Sequence, residues 1–172
     1  MSKYTLLIVE DEPELLEIMR ELLSPHADLV LLASNGQEAF ELLQKDKSIC
    51  AIVSDVSMPK MTGLELLAKI RASYSAIPFI IVSAYGDKDT LKEAIRLQAT
   101  DFLDKPFNSE NLIEIVSKAL EYGAKLSDVE SELSNQFGDS TDEKTVELKR
   151  IKRTIAAMRI ESSVYTKHKK TG

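Results

Sequence analysis

Short apolar runs rich in β-branched residues alternate along the chain with stretches whose apolar positions recur at helical spacing. Leu6-Leu7-Ile8-Val9 predicts a buried strand. Pro13 then opens a helix whose apolar positions are Leu15, Leu16, Ile18, Met19, Leu22 and Leu23, closed by Ser24-Pro25. Leu29 to Ala33 predicts a second strand, and Asn35-Gly36 turns the chain into a helix carrying Ala39, Phe40, Leu42 and Leu43. Ile49 to Val53 predicts a third strand, followed by a helix from about Gly63 to Ala72. Phe79 to Val82 predicts the fourth, a helix follows near Asp87–Leu97, and a short fifth strand covers Asp101–Leu103.

Strands that are apolar on both faces and separated by single helices require a parallel sheet covered on both sides. Right-handed crossovers leave few topologies for such a sheet. The flavodoxin-like order 2-1-3-4-5 sets strands one and three side by side at the switch point. The expected fold is therefore α/β, a doubly wound five-stranded parallel sheet of that order, with a helical C-terminal extension. Residues 1–122 form the α/β domain in this reading, and residues 123–172 form the extension.

Polar residues stand where these strands end. Glu10-Asp11 follows the first run, Asp55 the third, Ser83 the fourth and Lys105-Pro106 the fifth, with the turn Met58-Pro59 to Gly63 just past Asp55. The carboxyl ends of parallel strands share one edge, so residues far apart in sequence meet there. Three carboxylates brought together repel one another. A divalent cation relieves that repulsion and leaves one aspartate free to act as a nucleophile toward phosphate.

Together, Leu7-Ile8-Val9-Glu10-Asp11-Glu12-Pro13, Val53-Ser54-Asp55-Val56-Ser57-Met58-Pro59 with Gly63, Val82-Ser83-Ala84 and Phe102-Leu103-Asp104-Lys105-Pro106-Phe107 resemble the receiver domain of two-component response regulators. The resemblance spans about residues 3–122. It implies that Asp55 accepts a phosphoryl group from a sensor histidine kinase or a phosphotransfer protein. Asp11, Asp55 and the backbone carbonyl of Ser57 would hold Mg²⁺, and Glu10 would act through a bound water. Lys105 would be the point charge facing Asp55 and later a phosphate oxygen. Ser83 would donate to that oxygen, and Phe102 would fill the space Ser83 vacates. The chain departs from the commonest pattern of the family in three places: Glu10 stands for Asp, Ser83 for Thr, and Phe102 for a switching Tyr whose hydroxyl it lacks.

Other chemistries find little support. Ser57 occupies the position where haloacid-dehalogenase phosphatases carry their second Asp, which disfavours an aspartate-nucleophile phosphatase. His26 and His168 lack the helical setting of a phosphodonor, and no P-loop, zinc spacing or Ser-His-Asp arrangement is present. The expectation is a switch that catalyses only its own phosphorylation and dephosphorylation. No apolar stretch approaches the roughly 20 residues of a membrane span. No signal pattern precedes the first strand, and Cys50 is the single cysteine, which together suggest a reducing cytoplasm.

The extension carries its own pattern. Leu112, Ala119, Leu126 and Leu133 are seven apart, with Ile115, Tyr122 and Val129 between them, so the fifth helix reads as a coiled-coil stripe and a homodimer seam. Gly123 weakens that helix by about 1 kcal/mol relative to Ala. After Gly138-Asp139-Ser140-Thr141, the box Ser140-x-x-Glu143 predicts a further helix with Val146, Leu148, Ile151, Ile155 and Met158 on one side. Residues 144–172 carry nine Lys or Arg against two Glu, a local +7 beside −13 for the remainder of a chain of net charge −6. A basic helix of this kind binds nucleic acid, an anionic membrane surface or an acidic partner, or folds back on its own domain.

Overall fold

Each apolar run pairs with a neighbour along its length. In the computed structural model, which describes residues 4–73, 76–84, 87–138, 142–152 and 154, five strands form one parallel sheet of order β2-β1-β3-β4-β5. They are β1 (Thr5–Val9), β2 (Leu29–Ala33), β3 (Ile49–Asp55), β4 (Phe79–Ala84) and β5 (Asp101–Lys105). The helices between them are α1 (Pro13–Leu23), α2 (Gly36–Lys45), α3 (Gly63–Ala72), α4 (Lys88–Arg96) and α5 (Ser109–Phe137). A 3-10 turn, Ser24–His26, follows α1.

Strand side chains alternate between two apolar layers. Leu7, Val9, Ile52, Phe79 and Ile81 pack with Ala39 of α2, Leu66 and Leu67 of α3, and Ala94 of α4. Leu6, Ile8, Val53, Ile80 and Val82 pack with Met19 and Leu23 of α1 and with Leu112 and Val116 of α5. Both faces are covered, which is why the strands read as unbroken apolar runs instead of alternating ones.

Three strands outrun their apolar segments. β3 extends to Asp55, which pairs with Val82, and β4 extends through Ser83 to Ala84. β5 extends to Lys105, opposite Ala84. Backbone pairing, indifferent to side-chain polarity, carries the ladder past the last apolar residue. Asp55, Ser83 and Lys105 are therefore rungs of the sheet, not loop residues.

The division at 122/123 falls inside one helix. α5 runs unbroken for 29 residues, about 43 Å. Gly123 is not a weak point in it. The helix passes the amino-terminal end of β3 there, and a Cβ on Gly123 would overlap the carbonyl oxygen of Cys50. Leu126 and Leu133 are buried within the single chain and Val129 is half-buried. The expected coiled-coil stripe is thus largely occupied by the chain itself, because the helix crosses the body instead of projecting from it. Cys50 is buried, and burial pushes its thiol up to about 11 while its Sγ donates to the Thr5 carbonyl.

Residues 143–152 form a further helix, α6. Its cap is Asp142, whose Oδ2 accepts from the backbone N and Oγ1 of Thr145, both at 3.0 Å. Ser140 of the expected box, and Ile155 and Met158 of the expected stripe, lie outside the described residues. Lys149 donates to the Gly138 carbonyl, and Lys152 donates to Gln136 Oε1 and stands 4.5 Å above the Phe137 ring. Two lysines that argued for nucleic-acid binding therefore face α5. Among the described residues, no helix is long and apolar enough to cross a membrane.

The two readings of Gly123 give opposite signs for one substitution. Helix propensity alone has Gly123→Ala stabilising by about 1 kcal/mol. The overlap with Cys50 has it destabilising by about 1–3 kcal/mol, as forced overpacking does. Urea denaturation of the variant, with an unchanged slope, is expected to show the loss.

Candidate functional site

The carboxyl edge gathers side chains from β1, β3, β4 and β5. Glu10 follows β1, where its backbone N–H donates to the Ala33 carbonyl at 3.1 Å and ties it to the end of β2. Asp55 closes β3. Its backbone is held by the Ser54 hydroxyl, which donates to the Asp55 carbonyl at 2.8 Å. Gly63, the first residue of α3, lies so close that a Cβ would overlap that carbonyl and sit 2.9 Å from Ser54 Oγ. Only glycine lets the helix start against the strand end. Thr62 and Glu65 fix that start with a reciprocal capping box, Glu65 N to Thr62 Oγ1 at 3.2 Å and Thr62 N to Glu65 Oε2 at 2.8 Å.

Lys105 reaches the acidic cluster from β5, just before a cis Lys105–Pro106 bond. Its Nζ lies 2.6 Å from Asp55 Oδ1 and 2.9 Å from Glu10 Oε2. The second oxygens are also held: Asp55 Oδ2 accepts from Ser57 N at 2.7 Å, and Glu10 Oε1 accepts from Glu12 N at 3.2 Å. Glu10 and Asp55 are buried, whereas Asp11 is more open to solvent. Carboxylate oxygens of Glu10, Asp11 and Asp55 all lie within 4.8 Å of one another. Three carboxylates against one ammonium leave a formal charge of −2, and hard oxygen donors at this spacing could hold a divalent cation.

The charges perturb one another. Burial raises the Glu10 carboxyl above the usual range, and the Asp55 charge adds to this; hydrogen bonds from Lys105 and from Glu12 N oppose it without cancelling it. Burial also acts on the Lys105 ammonium, pulling it down. Its hydrogen bonds to Asp55 and Glu10 and their charges outweigh that, so Lys105 is raised overall and stays protonated.

Ser83 is buried on β4 in register with Asp104. Phe102 pairs with Ile81 and packs, half-buried, on the layer shared with α2, α3 and α4. Ser83 lies two residues beyond Ile81, hence on that same face of the sheet, one step nearer the carboxyl edge. The edge thus brings Glu10, Asp11, Asp55 and Lys105 together, with Ser83 one residue past Val82, the strand partner of Asp55. Two contacts were not anticipated. One is the direct Lys105–Glu10 pair, which no local pattern announces; the other is the Ser54 hydroxyl on the Asp55 carbonyl, for which a buried serine beside the aspartate was the available signal.

The sequence profile of the response regulator receiver domain matches residues 6–117. The chain belongs to the response regulator receiver family. A chemotaxis protein CheY homolog of Campylobacter jejuni is 34% identical over 123 residues, covering 69% of this chain and 94% of that protein. An NtrX-like response regulator of Rickettsia bellii is 31% identical over 144 residues, covering 83% of this chain but only 30% of the relative. The chain therefore spans about a third of that longer protein and nearly all of the shorter one. The crystal structure of a response regulator receiver domain protein from Clostridium thermocellum superposes with a TM-score of 0.64 at 27% identity, covering 68% of this chain and 94% of that one. The profile match ends at residue 117, within α5, whereas the alignment with the NtrX-like relative takes in 83% of the chain.

The raised Glu10 carboxyl sets a sign for stability against pH. Its folded value exceeds its unfolded one, so the folded state binds the proton more tightly. The resulting stabilisation is present below the unfolded value and disappears as pH rises through the folded one. In chelator at neutral pH, Glu10→Gln should therefore unfold at a higher urea concentration than wild type. The two should converge at a pH below the carboxylate range, as followed by circular dichroism.

Proposed function

We propose that the chain receives a phosphoryl group on Asp55 from the phosphohistidine of a sensor histidine kinase or phosphotransfer protein. The observation that carries this reading is the Lys105 ammonium bridging Asp55 and Glu10 at 2.6 and 2.9 Å, beside Asp11. Such an arrangement neutralises charge around one carboxylate without supplying an acid or a base for any other reaction. Phosphoryl transfer needs mainly that, since charge gathers on the transferring oxygens.

A carboxylate oxygen of Asp55 attacks phosphorus, the O–P bond forms, and the P–N bond breaks with its electron pair leaving on the donor imidazole. Mg²⁺, the divalent ion that best suits this oxygen donor set, would supply further neutralisation of the phosphoryl oxygens. Asp11, Asp55 and the Ser57 carbonyl would hold it directly, and Glu10 through a water. Lys105 shares the developing charge and keeps Asp55 oriented. Ser57 N–H holds the second Asp55 oxygen, so the attacking carboxylate is already aligned. Turnover is limited to the chain's own phosphoryl group, in keeping with a switch in the cytoplasm.

Ser83 and Phe102 carry the response outward. Ser83 donates to a phosphoryl oxygen, and the Phe102 ring follows into the space it leaves on the α4 face. Leu91 and Ile95 of α4 are exposed on the surface that this movement reshapes. A signal is transmitted only insofar as a partner binds the two conformations differently.

Incubation of the full chain with acetyl phosphate and Mg²⁺ should add one phosphoryl group, detected by intact mass. The adduct should be absent in Asp55→Asn and in EDTA, and an adduct persisting in either would overturn the assignment. Lys105→Gln should slow phosphorylation roughly a hundredfold, the scale for losing one preorganised electrostatic group.

Ser83→Ala should separate acceptance from response. It is expected to take the phosphoryl group, yet lose the phosphorylation-dependent change in amide exchange over β5 and α4. An unaltered exchange response would rule this route out.

A further inference from the structure

α3 starts against the Asp55 carbonyl and ends at the opposite edge of the sheet, where its last turn carries Arg71. The Arg71 guanidinium sits in the corner where α3 ends, β4 begins and α4 ends. Its Nη1 donates to the Ile77 carbonyl at 3.0 Å, and its Nε and Nη2 donate to the Gln98 carbonyl at 3.3 and 3.0 Å. Burial pulls this guanidinium down to about 10, so it stays charged at neutral pH. A cation is kept inside only where acceptors replace its water, and the two carbonyls do so.

The Gln98 carbonyl belongs to a second unusual feature. Leu97 caps α4, and Gln98 has φ +59, the left-handed position that glycine usually fills at a helix end. Gln98 N–H donates to the Ile95 carbonyl at 3.0 Å and Ala99 N–H to the Ala94 carbonyl at 2.9 Å, the paired bonds of a Schellman end. Thr100 then exchanges bonds with Phe79: its N–H donates to the Phe79 carbonyl at 2.8 Å, and its Oγ1 accepts from Phe79 N at 3.0 Å. Ala94, Leu97 and Ala99 pack on the core from this end of the helix. The first turn is placed differently. Lys88, Asp89 and Leu91 are exposed, and the cap is local, with Asp87 Oδ1 accepting from Thr90 N at 3.0 Å.

We propose that Arg71 is a positioning residue that fixes the C-terminal end of α4 as a hinge, so that the helix moves by swinging its N-terminal half. A planar guanidinium fork reaches carbonyls of two different segments at once, which a single ammonium does not. The swinging half is the one joined in sequence to Ser83 and Ala84, and Leu91 lies seven residues, about 10 Å of helix, from Gln98. The link to phosphorylation rests on the proposed role of Ser83; the hinge itself does not. A movement started at Ser83 then reshapes the surface around Leu91 while the start of β4 stays in place.

The test uses the full chain and amide exchange resolved by residue. In the unphosphorylated wild type, Leu97, Gln98 and Ala99 should exchange about tenfold or more slowly than Leu91, Lys92 and Glu93. Arg71→Gln and Arg71→Lys, the second of which keeps the charge and loses the fork, should each speed exchange at Leu97–Ala99 about tenfold. Exchange at Leu7 and Ile52 of the sheet should not change, which separates loss of the hinge from general destabilisation. Gln98→Gly keeps the carbonyl and suits its φ, so it should retain the slow exchange. With acetyl phosphate and Mg²⁺, the response of wild-type α4 should stop short of Leu97, whereas in Arg71→Gln it should run on to Ala99. Equal exchange along α4 in wild type would overturn the hinge. So would Arg71 variants that leave Leu97–Ala99 protected, or a wild-type response to phosphate that reaches Ala99. If no phosphoryl adduct forms, the assignment of Asp55 fails and the unphosphorylated measurements decide the hinge alone. Should one Arg71 variant not fold, the other and the wild-type gradient decide it.

Discussion

One ammonium among three carboxylates is the interaction on which the carboxyl edge depends. Without Lys105, Glu10 and Asp55 would face each other buried and uncompensated, a condition that costs several kcal/mol for each ion. With it, each acid keeps one oxygen on Lys105 and one on a backbone N–H. The edge still holds more negative than positive charge. That remainder, on oxygen donors within 4.8 Å of one another, is the charge that a divalent cation could offset. Burial and the Asp55 charge hold the Glu10 carboxyl above the usual carboxylate range.

The edge is as rigid as the sheet beneath it. Asp55 and Lys105 are terminal rungs of β3 and β5, and both strands pair with β4 between them. Their separation is therefore set by strand spacing and register, not by loop conformation. Gly63 and Ser54 clamp the Asp55 backbone from the α3 side. A charged residue on a ladder end cannot drift away from its partner as it could on a loop, so the carboxylate and the ammonium are held in place by the sheet.

α5 links this edge to the far side of the molecule. Its first half buries Leu112, Val116, Ala119 and Leu120 against β1, β3 and β4 from one face. At Gly123 it slides past the end of β3, and Leu126 then enters the groove lined by α2 and α3. One helix therefore touches both layers. The same crossing explains why a stripe that fits a coiled coil is spent inside one chain. The basic α6 is redirected in a similar way, with Lys149 and Lys152 turned to the carboxyl end of α5, where cations are favoured.

Apolar runs of four to five residues and single intervening helices were enough to determine the topology, and the polar residues at the strand ends pointed to its carboxyl edge. Periodicity and burial are local properties, and right-handed crossovers leave few arrangements of them. The convergence of Glu10, Asp11, Asp55 and Lys105 was legible in this way. The tertiary structure alone decided that Asp55, Ser83 and Lys105 belong to the ladder and that Lys105 touches Glu10 across 95 positions of sequence. It alone decided the value of Gly123, which reads as a helix defect until the Cys50 carbonyl is beside it. The same holds for the heptad stripe: periodicity states which side chains share a helix face, whereas the burial of Leu126 and Leu133 within one chain comes from packing between elements distant in sequence.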